Sequence, residues 1–469
     1  MQNRRAFLNK LGLGCAHVGA TTLLSGITSL NMIGTAAAAN RSWVTASSAP
    51  YKALVCILLA GGNDSFNMLV PTEDEPYNDY AATRTNIAIP KANLLPINPS
   101  NTDGKKFGLH PSMTKIQSLF EAENAAFIAN CGVLERPTTQ QDFLNKYKLP
   151  NGLFSHPHQQ THWQTGLPTA TSKQGGWAGR MADLLQENNQ NQSISMSLSL
   201  AGTNIFQRGN EVLPMSLKNS ANGISLINGS TDFGTYEQLK RTTIDNIVNQ
   251  DYQNIFKKAY SNMVQGSKGN SLAFDAAIAA GTPITTAFEA DNLAQDLKMV
   301  ARTIGARDQL NVENQVFFVL QSQYDTHDNN LENHGILLNT LDKAVGSFYE
   351  ALEELNMQDS VTLFTMSDFG RTLQSNGDGT DHAWGGNSFV VGGGVQGKKI
   401  YGDYPSLNLN NNSLIIDDSR MLPTTSVDEY FAELALWFGV SSADLAYVLP
   451  NIGNFWTPSS NSGPLGFLL

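Results

Sequence analysis

The sequence predicts an α/β fold, with a mostly parallel central sheet, helices on both faces and an inserted cap. Three observations lead there. Short unbroken apolar runs recur at both ends of the chain, several of them give way at once to a loop containing Gly or Asp, and stretches with helical periodicity lie between them. Apolar runs of this kind suit parallel strands buried on both faces, and the succession strand, helix, strand is the βαβ unit.

The elements follow in chain order. Arg4-Arg5-Ala6-Phe7-Leu8 stands ahead of an uncharged stretch, residues 11–39, that ends in Ala36-Ala37-Ala38-Ala39. A basic n-region, an apolar h-region and an Ala-x-Ala cleavage site make a secretory leader, and the Arg pair ahead of Phe-Leu resembles the twin-arginine signal. Residues 1–39 are therefore expected to be removed, with the twin-arginine translocase as a partner during export and a periplasmic or secreted mature protein. Residues 40–192 read as the first half of the sheet domain: a strand at 53–59, a helix at 111–123 and a strand at 125–129. Residues 193–310, Ser- and Asn-rich and then mostly helical, read as an insertion or cap. Residues 311–469 read as the second half, with strands at 316–320, 360–366 and 388–392, a helix at 337–355 and another at 425–440 capped by Ser426.

Composition narrows the function. Of 469 residues, 41 are acidic and 30 basic, for a formal charge of -11. Loss of a leader holding Arg4, Arg5 and Lys10 and no acid takes the mature chain to about -14. Acidity argues against a nucleic-acid partner, whose affinity rests on clustered Lys and Arg. No stretch beyond the leader reaches the roughly 18 apolar residues of a membrane span. Cys56 and Cys131 fall in core strands and are expected to be inert thiols rather than a disulfide.

Histidine carries the chemical signal. One of the eight histidines lies in the leader, and none lies between Trp163 and Thr326. The others share segments with acids at strand ends, where open α/β sheets bind ligands: Asp64 after Gly61-Gly62-Asn63, Asp325 in Asp325-Thr326-His327, and Asp368 in Ser367-Asp368-Phe369-Gly370-Arg371. Carboxylate with imidazole is the ligand set of catalytic zinc and related metals, and Asp-x-His projects both side chains from one side of an extended segment. Asp381-His382 follows a Gly-rich loop. Ser155, ahead of His156-Pro157, suits a helix N-cap, where a serine could attack a phosphoryl or sulfuryl group while backbone N–H groups hold the oxyanion. Arg371 could clamp that oxyanion or form an ordinary ion pair.

The order Gly61-Gly62-Asn63-Asp64-Ser65-Phe66-Asn67, Gly108-Leu109-His110-Pro111, Ser155-His156, Trp163-Gln164-Thr165-Gly166, Asp325-Thr326-His327, Ser367-Asp368-Phe369-Gly370-Arg371, Thr380-Asp381-His382 and Tyr401-Gly402-Asp403-Tyr404-Pro405 resembles the exported domain-of-unknown-function 1501 family. That family looks like a branch of the alkaline phosphatase and sulfatase superfamily. The resemblance implies an alkaline-phosphatase-like sandwich and a two-metal hydrolytic centre holding zinc, manganese or calcium. It implies Asp64 on one metal, Asp325 with His327 or His334 and His382 on the other, Asp368 shared, and Ser155 as nucleophile, with His156 and Arg371 beside it. Two departures stand out. Phe369 occupies the place where the superfamily has His after the Asp, and Asn329 the place of a His four residues after Asp325, so one metal site rather than two is open. The expected function is an exported metal-dependent hydrolase of phosphate or sulfate esters, acting on a small-molecule or polymer ester. The rivals are a secreted non-catalytic binding or scaffolding protein with a sulfatase-like fold, and a metal-dependent activity on exported polysaccharide or peptide.

Overall fold

The computed structural model describes residues 50–170, 174–219, 235–457 and 463–468. The leader lies outside these residues. A nine-stranded sheet forms the middle of the molecule. Its strands are β1 (Lys52–Leu59), β2 (Ala125–Gly132), β3 (Ser197–Ser199), β4 (Met215–Ser216), β5 (Asn314–Gln321), β6 (Val361–Ser367), β7 (Gly386–Val391), β8 (Ile400–Tyr401) and β9 (Thr425–Ser426). They lie in the order β8-β2-β7-β6-β1-β5-β3-β4, with β9 also paired to β2. Only β7 runs antiparallel, against both β2 and β6.

Strand β1 explains the layering. Ala53, Val55, Ile57 and Leu59 point into one apolar cluster and Leu54, Cys56 and Leu58 into the other, all of them buried. A strand covered on both faces has no polar side, and each large apolar side chain so enclosed contributes about 1.5–3 kcal/mol. The first cluster is closed by α2 (Thr114–Glu121), α7 (Asn292–Gly305) and α8 (Asn330–Glu354), the second by α4 (Trp177–Leu185) and α9 (Val427–Phe438). The remaining longer helices are α1 (Asp74–Arg84), α3 (His156–Thr165), α5 (Thr235–Val248) and α6 (Ile255–Ala280). Among the described residues no helix is long and apolar enough to cross a membrane.

All five strands expected from apolar runs are present, each within a few residues of its expected bounds. The last expected helix begins two residues late, at Val427, because Thr425 and Ser426 pair with β2. Ser426 caps it as expected: its hydroxyl accepts from the Asp428 N–H, and the Glu429 carboxylate accepts from the Ser426 N–H. Helix α8 starts earlier than its apolar periodicity, at Asn330, with Asn329 in the left-handed conformation that Asn tolerates (φ 47°). Residues 193–310 supply strands β3 and β4 to the sheet edge and helix α7, whose Leu293, Leu297, Val300 and Ile304 are buried in the first cluster, so that much of this segment belongs to the layers themselves. Cys56 and Cys131 are free and buried, and burial pushes both thiols up, which keeps them from ionising.

Candidate metal centre

Three neighbouring parallel strands, β6, β1 and β5, end on the same side of the sheet, and the chain places an Asp just past each: Asp368, Asp64 and Asp325. Gly61 makes the close approach possible. It adopts φ 120°, and any side chain there would collide with the backbone of Tyr324 and Asp325.

Around Asp325 three imidazoles converge. His382 Nε2 lies 3.1 Å from His156 Nε2 and 3.0 Å from His327 Nε2. The Asp325 carboxylate lies 3.4 Å from His156 Nε2, 3.0 Å from His327 Nε2 and 3.2 Å from His382 Nε2. The opposite nitrogen of each ring is held. His156 Nδ1 meets the buried Asp368 carboxylate at 2.7 Å, His327 Nδ1 meets Asp381 at 3.1 Å, and His382 Nδ1 meets the Phe154 carbonyl at 2.7 Å. A carbonyl or carboxylate oxygen there only accepts, and with the proton on Nδ1 the His382 Nε2 lone pair faces those of both His156 and His327 beside the Asp325 carboxylate. Lone pairs at 3 Å repel unless a cation lies between them. With metal–ligand bonds near 2.0–2.1 Å, neighbouring ligand atoms of a tetrahedral site stand about 3.3 Å apart, close to each of these separations. Carboxylate or carbonyl partners on the outer nitrogens are the usual second layer of a histidine metal site, fixing the tautomer and raising ligand basicity. The residues present fit a metal ion.

The electrostatics agree. The hydrogen bond to Asp368 holds the His156 imidazole above its ordinary pKa, against the opposing effect of burial. Burial pushes His382 below its own. Burial would raise the Asp325 carboxyl, but Arg371, by charge and hydrogen bond, and then His327 and His156, hold it below the usual range. Arg371 is itself fully buried, with Nη1 on Asp325 at 2.9 Å and Nε on Thr380 at 3.1 Å. It therefore positions Asp325 rather than reaching out to a ligand. The side chains of His156, His327, His382 and Asp325 remain 24–44% exposed, leaving the cluster open to solvent on one side.

Of the residues singled out in the sequence, His156, Asp325 and His382 thus group closely enough to share an ion, His327 adjoins Asp325 and His382, and Asp368 and Arg371 touch the group from behind. Asp64 and His334 lie elsewhere. Asp64 is paired with the Arg84 guanidinium and accepts from Asn330 Nδ2 at 2.7 Å. His334 Nε2 meets Asn63 Oδ1 at 2.8 Å, and burial pushes this ring down to about 3, so it stays neutral. Asn329 caps α8 and donates to Glu332 instead of approaching the cluster. Ser155 stands at the N-cap of α3, but its hydroxyl makes no capping bond; Oγ lies 3.0 Å from His158 Nδ1. The sequence motifs gave Asp381 no role of its own, and sequence reasoning missed Gln160, which donates to Asp368 at 2.9 Å, and Arg84. Adjacency to His382 was a usable signal for Asp381, and the i, i+4 spacing from His156 for Gln160; Arg84 offered none.

No curated protein matches the sequence. Loosely similar solved structures include the lipoteichoic acid synthase LtaP from Listeria monocytogenes, 10% identical with a TM-score of 0.29 over 84% of this chain and 80% of that one. The PsFucS1 sulfatase from Pseudoalteromonas sp. is 9% identical, with a TM-score of 0.29 over 81% of this chain and 68% of that one. The TAB5 alkaline phosphatase is 12% identical, with a TM-score of 0.22 over 74% of this chain and 92% of that one. These neighbours are sulfatase- and alkaline-phosphatase-superfamily proteins. The family model described as a protein of unknown function, DUF1501, matches residues 51–441, and the chain belongs to that family.

Proposed function

We propose that the protein is an exported, metal-dependent hydrolase of phosphate or sulfate esters, working in the periplasm or outside the cell after passage through the twin-arginine translocase. The observation that carries the reading is the convergence of the His156, His327 and His382 Nε2 atoms on Asp325, each ring backed by an acceptor. Three imidazoles and one carboxylate suit zinc or manganese; calcium, which takes six to eight oxygens, does not match this donor set. A bound divalent ion supplies Lewis acidity for an ester oxygen.

The remaining chemistry belongs to the chain. Ser155 directly precedes His156, and its Oγ can pass its proton to His158 Nδ1 at 3.0 Å as it attacks phosphorus or sulfur. The bond to the leaving alcohol oxygen breaks, that oxygen takes up a proton, and water then releases the acid from Ser155. The N–H groups at the start of the ten-residue helix α3, left uncapped by Ser155, face an anion favourably. A second reading, a non-catalytic binding protein on the same fold, draws on Phe369, whose ring packs on His156 and His382 at centroid distances of 4.9 and 4.7 Å.

The test is hydrolysis of aryl phosphate and aryl sulfate esters by the purified mature chain, with zinc or manganese and with chelator. Chelator-sensitive turnover that Ser155→Ala abolishes while the metal stays bound is the expected result. Metal-free, inert protein would sink the proposal; a metal-loaded but inert one would leave the binding protein.

A further inference from the structure

The two-metal centre implied by the superfamily does not fit these residues. Its second cation would rest on Asp64 and Asp368. Asp64 already has a cation of its own: Arg84, fully buried, spends its guanidinium on Asp64, on Asn67 Oδ1 and on the carbonyls of Thr372 and Leu373. One Asp368 oxygen is taken by His156 and Gln160. Between the two corners stands Phe369. Its ring lies so close to Gly62, two residues before Asp64, that a Cβ there would come within 2.5 Å of Cε2, and its other contacts are the His156 and His382 rings. The phenyl ring packs on the imidazoles and beside Gly62, where the superfamily's His would stand, and it offers no ligand atom.

From this we infer a single-metal, charge-balanced centre that selects monoanionic esters, sulfate monoesters or phosphodiesters, over dianionic phosphate monoesters. This rests on the metal-centre reading of His156, His327, His382 and Asp325 given above. The charge count follows from the contacts. Asp325, Asp368 and Asp381 bring three negative charges to the cluster, Arg371 one positive, and a divalent ion two more, so that no surplus positive charge remains; the Asp64–Arg84 pair is neutral by itself. A centre without surplus charge is disfavoured by every additional negative charge brought within a few ångströms. A monoanion leaves one charge unmatched and a dianion leaves two.

Metal content by inductively coupled plasma mass spectrometry on zinc- or manganese-loaded protein, together with kinetics on an aryl sulfate, a bis-aryl phosphodiester and an aryl phosphate of the same leaving group, tests it. One equivalent of metal is expected, unchanged in Asp64→Asn and lost in His382→Ala. At least one of the two monoanionic esters is expected to exceed the aryl phosphate in kcat/KM by roughly tenfold or more, each substrate corrected for its uncatalysed rate. Two equivalents in the wild type, or loss of the metal in Asp64→Asn protein that still unfolds cooperatively, would overturn the single-metal centre; should that variant misfold, the wild-type count decides. A faster aryl phosphate with one metal bound would overturn the selectivity. No metal at all would instead overturn the metal-centre reading itself.

Discussion

Asp64 and Asp325 follow adjacent parallel strands and lie at the same edge of the sheet, yet one is sealed with a built-in guanidinium while the other faces three imidazole lone pairs and solvent. Arg84 and Asp64 are both wholly buried and neutralise each other through one carboxylate oxygen, Oδ2, while Oδ1 is buried without a hydrogen-bond partner. The Asp325 corner has its own cation too, Arg371, but adds three Nε2 atoms whose described partners are one another and the Asp325 carboxylate. The difference teaches that a carboxylate at a strand end is no sufficient sign of a metal site. What distinguishes the two corners is whether donors outnumber the cations the chain itself supplies.

The comparison can be broken from its strongest side first. His382→Ala removes the imidazole that touches both others, and bound metal should fall from about one equivalent to near none, with ester hydrolysis falling beyond the roughly 10–100-fold typical of outer-layer changes. Retention of metal would dissolve the distinction. Next, Arg84→Met leaves the Asp64 charge buried and alone, and should cost about 3–5 kcal/mol in urea unfolding while the metal content of the folded fraction stays the same. A loss below about 1 kcal/mol would mean that Asp64 does not depend on its guanidinium. Smaller again, Asp381→Asn weakens the hold on the His327 tautomer, and metal affinity by competition with a chelator should drop about 10–100-fold, with the fold unaffected.

The smallest effect concerns a third buried carboxylate, Asp428 in the first turn of α9, which forms no ion pair among the described residues. Burial pushes it up to about 7, against hydrogen bonds with Asn451 and Ser426. The folded chain thus keeps a proton that an unfolded Asp releases near 3.8. The stability that this proton lends is complete below about pH 4 and is lost as pH rises through about 7. Asp428→Asn cannot lose it, so the Tm difference in favour of the variant should widen by a few degrees between pH 4 and pH 8. A difference independent of pH would show the carboxylate to be charged without a partner.

Much of this architecture was legible beforehand. Residues 53–59 and 360–366 could be read as strands because a doubly covered strand must be apolar throughout, and Ser426 as a cap because its hydroxyl has a donor two residues on. His327 and His382 were legible from their acids in sequence, Asp325 and Asp381. Arg84 was not: α1 is polar along its length, and only tertiary folding reveals that its last residue is buried against Asp64. Nor could the sequence separate His334 from the other histidines. Its helix carries it inward to Asn63, a matter of helical phase relative to the sheet.

His156 and His382 stand 226 residues apart in the chain, and their Nε2 atoms are 3.1 Å apart in space. A nascent chain that has not yet produced residue 382 has two of the three imidazoles and lacks the one that bridges them. On the proposed metal-centre reading, ion uptake would wait until residue 382 has joined the fold. Such a centre would act as a molecular receipt, issued only once both halves of the sheet have met, and a copy truncated before residue 382 would be marked by its failure to retain the ion.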